Sequence, residues 1–172
     1  MIVIESFIKK LLVVLISLTI SSLYVFGVLS QALPDGLPLD IEGYTQWTRL
    51  NKKVLRPRTA DPHSGYKRLY VNKKPYELLT RKKKQIFPYP EGTIIVKEVK
   101  RTADVNSDII LISIMRKLPG NETTGGWDFV EYSRFSGDTF TQIQFPKESC
   151  YACHQGASKT DAVWTRFTNF RK

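Results

Sequence analysis

The chain has 172 residues, with 26 Lys and Arg against 16 Asp and Glu, a formal net charge of +10, two Cys and two His. That length fits one ordinary domain with a core large enough to stand alone, and excludes two full domains. With so few cysteines and histidines, no second pair of zinc ligands exists at finger spacing.

Residues 1–32 read as a separate element, because Lys9 and Lys10 precede the uncharged run LLVVLISLTISSLYVFGVLSQA. Its Ser and Thr residues are scattered without helical periodicity, which argues against a buried core helix. From Leu11 to Ala32 the run reaches the roughly 20 residues that span a bilayer, with its basic flank on the cytoplasmic side. Ser30 and Ala32, small residues just before Leu33-Pro34, equally suit removal by a signal peptidase. As signal peptide or membrane anchor, the segment sends the rest of the chain to the bacterial periplasm. That remainder stays strongly basic, with clusters in RLNKKVLRPR (49–58) and RKKK (81–84). Such a field suits anionic lipid headgroups, an acidic redox partner or simply a solvated face. An exported domain rarely meets nucleic acid, so none is expected as a partner.

LPDGLPLD (33–40), with two prolines, a glycine and two aspartates, reads as a linker, and the domain is expected over 41–172. In IEGYTQWTRLNKKVL, Tyr44, Trp47 and Leu50 or Asn51 recur at three- to four-residue spacing, which predicts a short amphipathic helix. YKRLYVN (66–72) alternates, and KPYELLTRKK predicts another short helix ended by FPYPEG. GTIIVKEVK (92–100), DIILISIMRK (108–117) and GGWDFVEYSRF (125–135) predict strands; the last sets Trp127, Phe129 and Glu131 against Asp128, Val130 and Tyr132. TFTQIQFP adds a final extended piece. Consecutive strands joined by short turns imply an antiparallel meander, not βαβ units. A terminal helix is predicted from Val163, Phe167 and Phe170, with Ser158 and Asp161 as a loose capping box. The expected fold class is α+β: a largely antiparallel β-sheet with flanking helices, preceded by an N-terminal membrane or signal helix.

Both cysteines and one histidine fall within FPKESCYACH (145–154) as Cys150, Cys153 and His154, the C-x-x-C-H attachment pattern of haem c. On one helical turn two sulfurs three residues apart share a face and can bond two vinyl groups along one macrocycle edge, while the adjoining imidazole reaches the iron. Ser149 is the expected N-cap of that turn. A disulfide here would close only a tiny loop, and a thioredoxin-like pair belongs at the start of a helix in a βαβ unit. A zinc site would need Cys150, Cys153, His63 and His154, of which the adjacent Cys153 and His154 are poorly placed for one tetrahedral ion. The expected cofactor is therefore one covalent haem c with His154 as axial metal ligand. For the opposite axial position the chain offers His63, in a turn where a surface or hydrogen-bonding role is natural, and Met115, which reads as core filling. An open distal position is expected, and it permits binding of a small molecule.

EGTIIVKEV (91–99), GGWDFVEYS (125–133), FPKESCYACH and KTDAVWTRF (159–167), with YTQWTRLN and YVN before them, resemble the cytochrome P-460 and cytochrome c′-beta family over most of 41–170. The resemblance implies one haem c, a five-coordinate resting iron and often a homodimer. It also implies a small nitrogen-containing ligand, hydroxylamine in members that carry a lysine joined to the haem edge or nitric oxide in members that lack it. Lys97 falls on that lysine's position. The hydroxylamine oxidisers place a carboxylate over the distal pocket on the strand after the lysine strand, and here DIILISIMRK has an aliphatic centre. Glu98, beside Lys97 on a strand, is expected on the opposite face. No proton acceptor is clearly in place, and an apolar distal pocket favours capture of an uncharged diatomic over oxidation of a polar amine, with simple electron transfer as a further alternative.

Overall fold

A computed structural model describes residues 32–59, 61–134 and 138–167. The N-terminal apolar run up to residue 31 and Phe170 lie outside the described residues. Six strands, β1 (Thr48–Arg49), β2 (Tyr66–Val71), β3 (Ile94–Lys100), β4 (Ile109–Lys117), β5 (Trp127–Ser133) and β6 (Thr141–Ile143), form one sheet in chain order. Every neighbouring pair is antiparallel, so the meander is as expected. Two α-helical pieces accompany it, α1 (Pro75–Leu78) and α2 (Lys147–His154).

Alternation along the strands divides the core in two. One face carries Leu69, Val71, Ile95, Met115, Trp127 and Phe129, covered by Leu50, Leu78, Tyr89, Val163 and Phe167. The other carries Val96, Ile112 and Ile114, covered by Leu37, Ile41, Tyr44 and Phe140. Burial on both faces explains the consecutive apolar residues 94–96 in β3 and 109–112 in β4, where a one-sided strand would alternate. Met115, 7% exposed in the first cluster, fills core as expected.

Three expected helices differ from the structure. Residues 41–55 form not a helix but 3-10 turns at Leu39–Ile41 and Tyr44–Gln46, followed by β1. Gly43 at φ 68° interrupts the helical path, and Thr48 and Arg49 pair with Val71 and Tyr70. Tyr44, Leu50 and Asn51 still bury, which is what their spacing recorded. In the second case α1 is a single turn, begun by Glu77 accepting from the Lys74 N–H at 2.7 Å. It stops because Leu79 pairs with Gln85 across a tight turn. In the third, the terminal segment continues α2 only as a 3-10 run, Gln155–Thr160. Asp161 and Ala162 then take positive φ, so Val163 and Phe167 bury from irregular chain.

Within 33–40 the chain lies along the second face: Leu37 is buried and the Phe140 N–H donates to Asp35 O at 2.8 Å. Gly36, at φ +86°, sits where a Cβ would collide with the Phe140 carbonyl.

Candidate functional site

The cysteine segment forms α2, with Pro146 rather than Ser149 at its N-cap. Ser149 instead lies within the first turn, where its N–H donates to Pro146 O at 3.0 Å. The extended Pro146 leads directly into the helix, and Glu148 places a negative charge near the positive end of the helix dipole. Cys150 and Cys153 are three residues apart on this helix and so share a face. Both are free thiols, Cys150 half-buried against the first core cluster and Cys153 exposed. Gly125, at φ +64°, lets α2 approach β5 closely, since a Cβ there would come within 2.6 Å of the Tyr151 hydroxyl.

His154 ends the helix half-buried, its ring edge-on to Phe129 with centroids 5.0 Å apart. Its Nδ1 lies 2.6 Å from Ala162 O. A carbonyl only accepts, so Nδ1 carries the proton and the Nε2 lone pair is left for a metal. Burial holds the imidazole below its usual pKa, with Lys97 and His63 acting in the same direction and the Ala162 bond opposing. The result is the neutral form that ligates. The Ala162 carbonyl is held in place by its neighbour. Asp161 accepts from the Tyr89 N–H and from Lys117 Nζ, each at 2.8 Å, and its carbonyl accepts from Trp127 Nε1 at 2.9 Å.

The same sheet face carries a polar row. Register pairs Lys97 with Ser113 and Ser113 with Glu131, so all three side chains emerge on one side. Glu98 points the other way, as expected. Above the row, the loop before β2 brings His63, whose Nδ1 is 2.8 Å from Lys97 Nζ and whose Nε2 is 2.5 Å from Glu131 Oε1. That loop is fixed by Asp61, which pairs with Lys67 at 2.6 Å and accepts from the His63 N–H at 2.9 Å.

The electrostatics of the row follow from burial and pairing. Burial lowers the Lys97 pKa to about 8, against the opposing pull of Glu131 and Asp61. Burial alone would raise Glu131, but the His63 bond and charge, Lys97 and the Ser113 hydroxyl together hold it below the usual carboxylate range. Glu131 is therefore an ionised proton acceptor. The centre of β4 is aliphatic as read, and the carboxylate on the face of Lys97 stands one strand further on. Its sequence signal was the alternation that put Glu131 on the same side of β5 as Trp127 and Phe129. His63 is the hydrogen-bonding histidine expected, but at the site rather than away from it.

Lys97 and Glu131 act electrostatically on both Cys150 and His154, which places the motif and the row in one neighbourhood. Burial, then the Glu131 charge, pushes the Cys150 thiol up to about 11, with Lys97 opposing. A redox thiol pair needs the reverse shift, and no disulfide joins the two cysteines. Among the described residues no group of three or more His, Cys, Asp or Glu is arranged to hold a metal ion by itself. Two free thiols on one helical face beside an imidazole with a fixed tautomer and a free nitrogen fit a haem c.

Comparison with protein families gives a match of residues 41–165 to the model described as Cytochrome P460. No curated protein matches the chain.

Proposed function

Because this chain belongs to the cytochrome P460 family, which implies haem c binding, we propose that it is an exported mono-haem c-type cytochrome that oxidises hydroxylamine. Cys150 and Cys153 would hold the haem through two thioether bonds and His154 Nε2 would ligate its iron. When bound, the haem supplies a metal that accepts electrons singly; the protons released with them need a base. Glu131 is the observation that carries the reading: an ionised carboxylate on the sheet face of Lys97 and Cys150, hydrogen-bonded to His63. It takes substrate protons, and His63, with Nε2 on Glu131 and Nδ1 on Lys97 Nζ, is placed to pass them on. Ser113, by hydrogen bonding to Glu131, steadies the carboxylate.

Lys97, with an amine pKa near 8, has a neutral fraction at working pH and is the residue we assign to a covalent link with the haem edge, in which the amine and a ring carbon would each lose a hydrogen and the two electrons would pass to a peroxide-class oxidant. The basic runs at 49–58 and 81–84 support an acidic cytochrome as electron acceptor, and the N-terminal apolar segment supports a periplasmic location, anchored or free. A homodimer accords with the family resemblance. The test is hydroxylamine-dependent reduction of a chemical electron acceptor by haem-loaded protein, with Glu131→Gln as comparison. Turnover that falls in the variant supports the reading. Rapid nitrosyl formation with no hydroxylamine turnover would replace oxidation by nitric oxide capture.

A further inference from the structure

On the sheet face opposite Lys97 lies a cavity of about 310 Å³, lined by Tyr44, Arg68, Tyr70, Glu98 and Lys100 among others. Its size is in the range of small-molecule sites, and two cations, a carboxyl and two tyrosines are among the side chains that line it. Arg68 and Lys100 are each 8% exposed, and each gives one bond to the loop after β3: Arg68 to Ala103 O at 3.3 Å and Lys100 to Val105 O at 2.8 Å. The guanidinium and ammonium retain further donors.

Among the described residues Glu98 is the only carboxylate lining the cavity, and it is 3% exposed. Its Oε1 accepts from the Tyr44 hydroxyl at 3.0 Å, while its Oε2 has no hydrogen-bond partner and stands 3.9 Å from Lys100 Nζ. A buried carboxyl oxygen left unpaired is costly, and its position at a cavity wall makes a bound molecule its natural partner.

We propose that this cavity binds a small hydroxycarboxylate, with the ligand's carboxylate on Arg68 and Lys100 and its hydroxyl on Glu98 Oε2. Two cations against one carboxyl select an anionic ligand, and the planar guanidinium matches a carboxylate in two-point fashion. The hydroxyl is required by the unpaired oxygen. Burial, the leading cause, raises the Glu98 pKa, with Lys100 and the Tyr44 bond opposing. A hydroxyl can both donate and accept.

The experiment is isothermal titration of the full-length haem-loaded protein, held in nanodiscs, with lactate, malate and propionate. Lactate or malate gives saturable binding, propionate at least tenfold weaker binding, and the visible spectrum stays unchanged because the site is remote from the haem face. Arg68→Gln weakens binding at least tenfold. Asn106→Trp does the same by blocking the rim from an exposed position, and so reads the site even if the buried Arg68 variant fails to fold. Absence of saturable binding by both hydroxy acids, equal affinity for propionate, indifference to Asn106→Trp, or a spectral change on binding would each overturn the proposal.

Discussion

Replacing Glu131 by Gln keeps the size of the side chain and a hydrogen-bond acceptor for His63, but removes the charge from the row. Lys97, His63 and Glu131 are joined in series by contacts of 2.8 and 2.5 Å. With one imidazole ring between them, ammonium and carboxylate are roughly 7 Å apart, where an effective dielectric of about 20 gives about 2 kcal/mol of attraction. Losing it lowers the Lys97 pKa by about 1.5 units from its value near 8, so the amine becomes more, not less, available. The proton acceptor, in contrast, is gone, and loss of a positioned general base costs about 10²- to 10⁴-fold in rate. Steady-state hydroxylamine oxidation with a chemical acceptor measures this, with haem content and circular dichroism as controls for folding. Glu131→Asp is expected to fall between the two, retaining the charge while lengthening the reach to His63. A Glu131→Gln protein that turns over within threefold of the parent would refute the assignment.

Three further outcomes follow from the geometry. Asp161→Asn keeps a residue tolerated at positive φ but loses the charge that holds Lys117, and is expected to destabilise by about 1.5–3 kcal/mol in chemical denaturation. Phe129→Leu removes the edge-on contact to His154, expected to cost about 0.5–1.5 kcal/mol beyond the lost area and to broaden the His154 ring resonances. In material whose Lys97 is unmodified by mass, stability is expected to rise with pH between about 8 and the ordinary lysine value of 10.5. There the unfolded chain binds more protons than the folded one, and below about 8 the folded state carries the full burden of a buried ammonium. Lys97→Met should remove that rise and be the more stable protein at pH 7; a parallel pH dependence in parent and variant would contradict it.

The strands were legible because β-branched runs and alternation are local properties of the chain, and β2 to β5 fall where the residues put them. The short helices were not. Ile41 and Tyr44, or Val163 and Phe167, recur at helical spacing because each must reach a core, and turns ending at Gly43 or Asp161 satisfy that need equally well. The C-x-x-C-H cluster lies within five consecutive residues and needs no tertiary information to be seen. Glu131 does need it, because only the register from Lys97 through Ser113 brings it to the site. The Ala162 carbonyl that orients His154 belongs to the backbone, and no side chain announces it.

The most direct test of the account is intact-mass analysis of protein matured with the haem c assembly machinery, before and after extraction with acidified acetone. The account predicts a chain carrying the mass of one haem that survives extraction, with the pigment lost from the Cys150→Ala, Cys153→Ala double variant. Colourless protein, or parent protein that yields all its haem to the solvent, would contradict it.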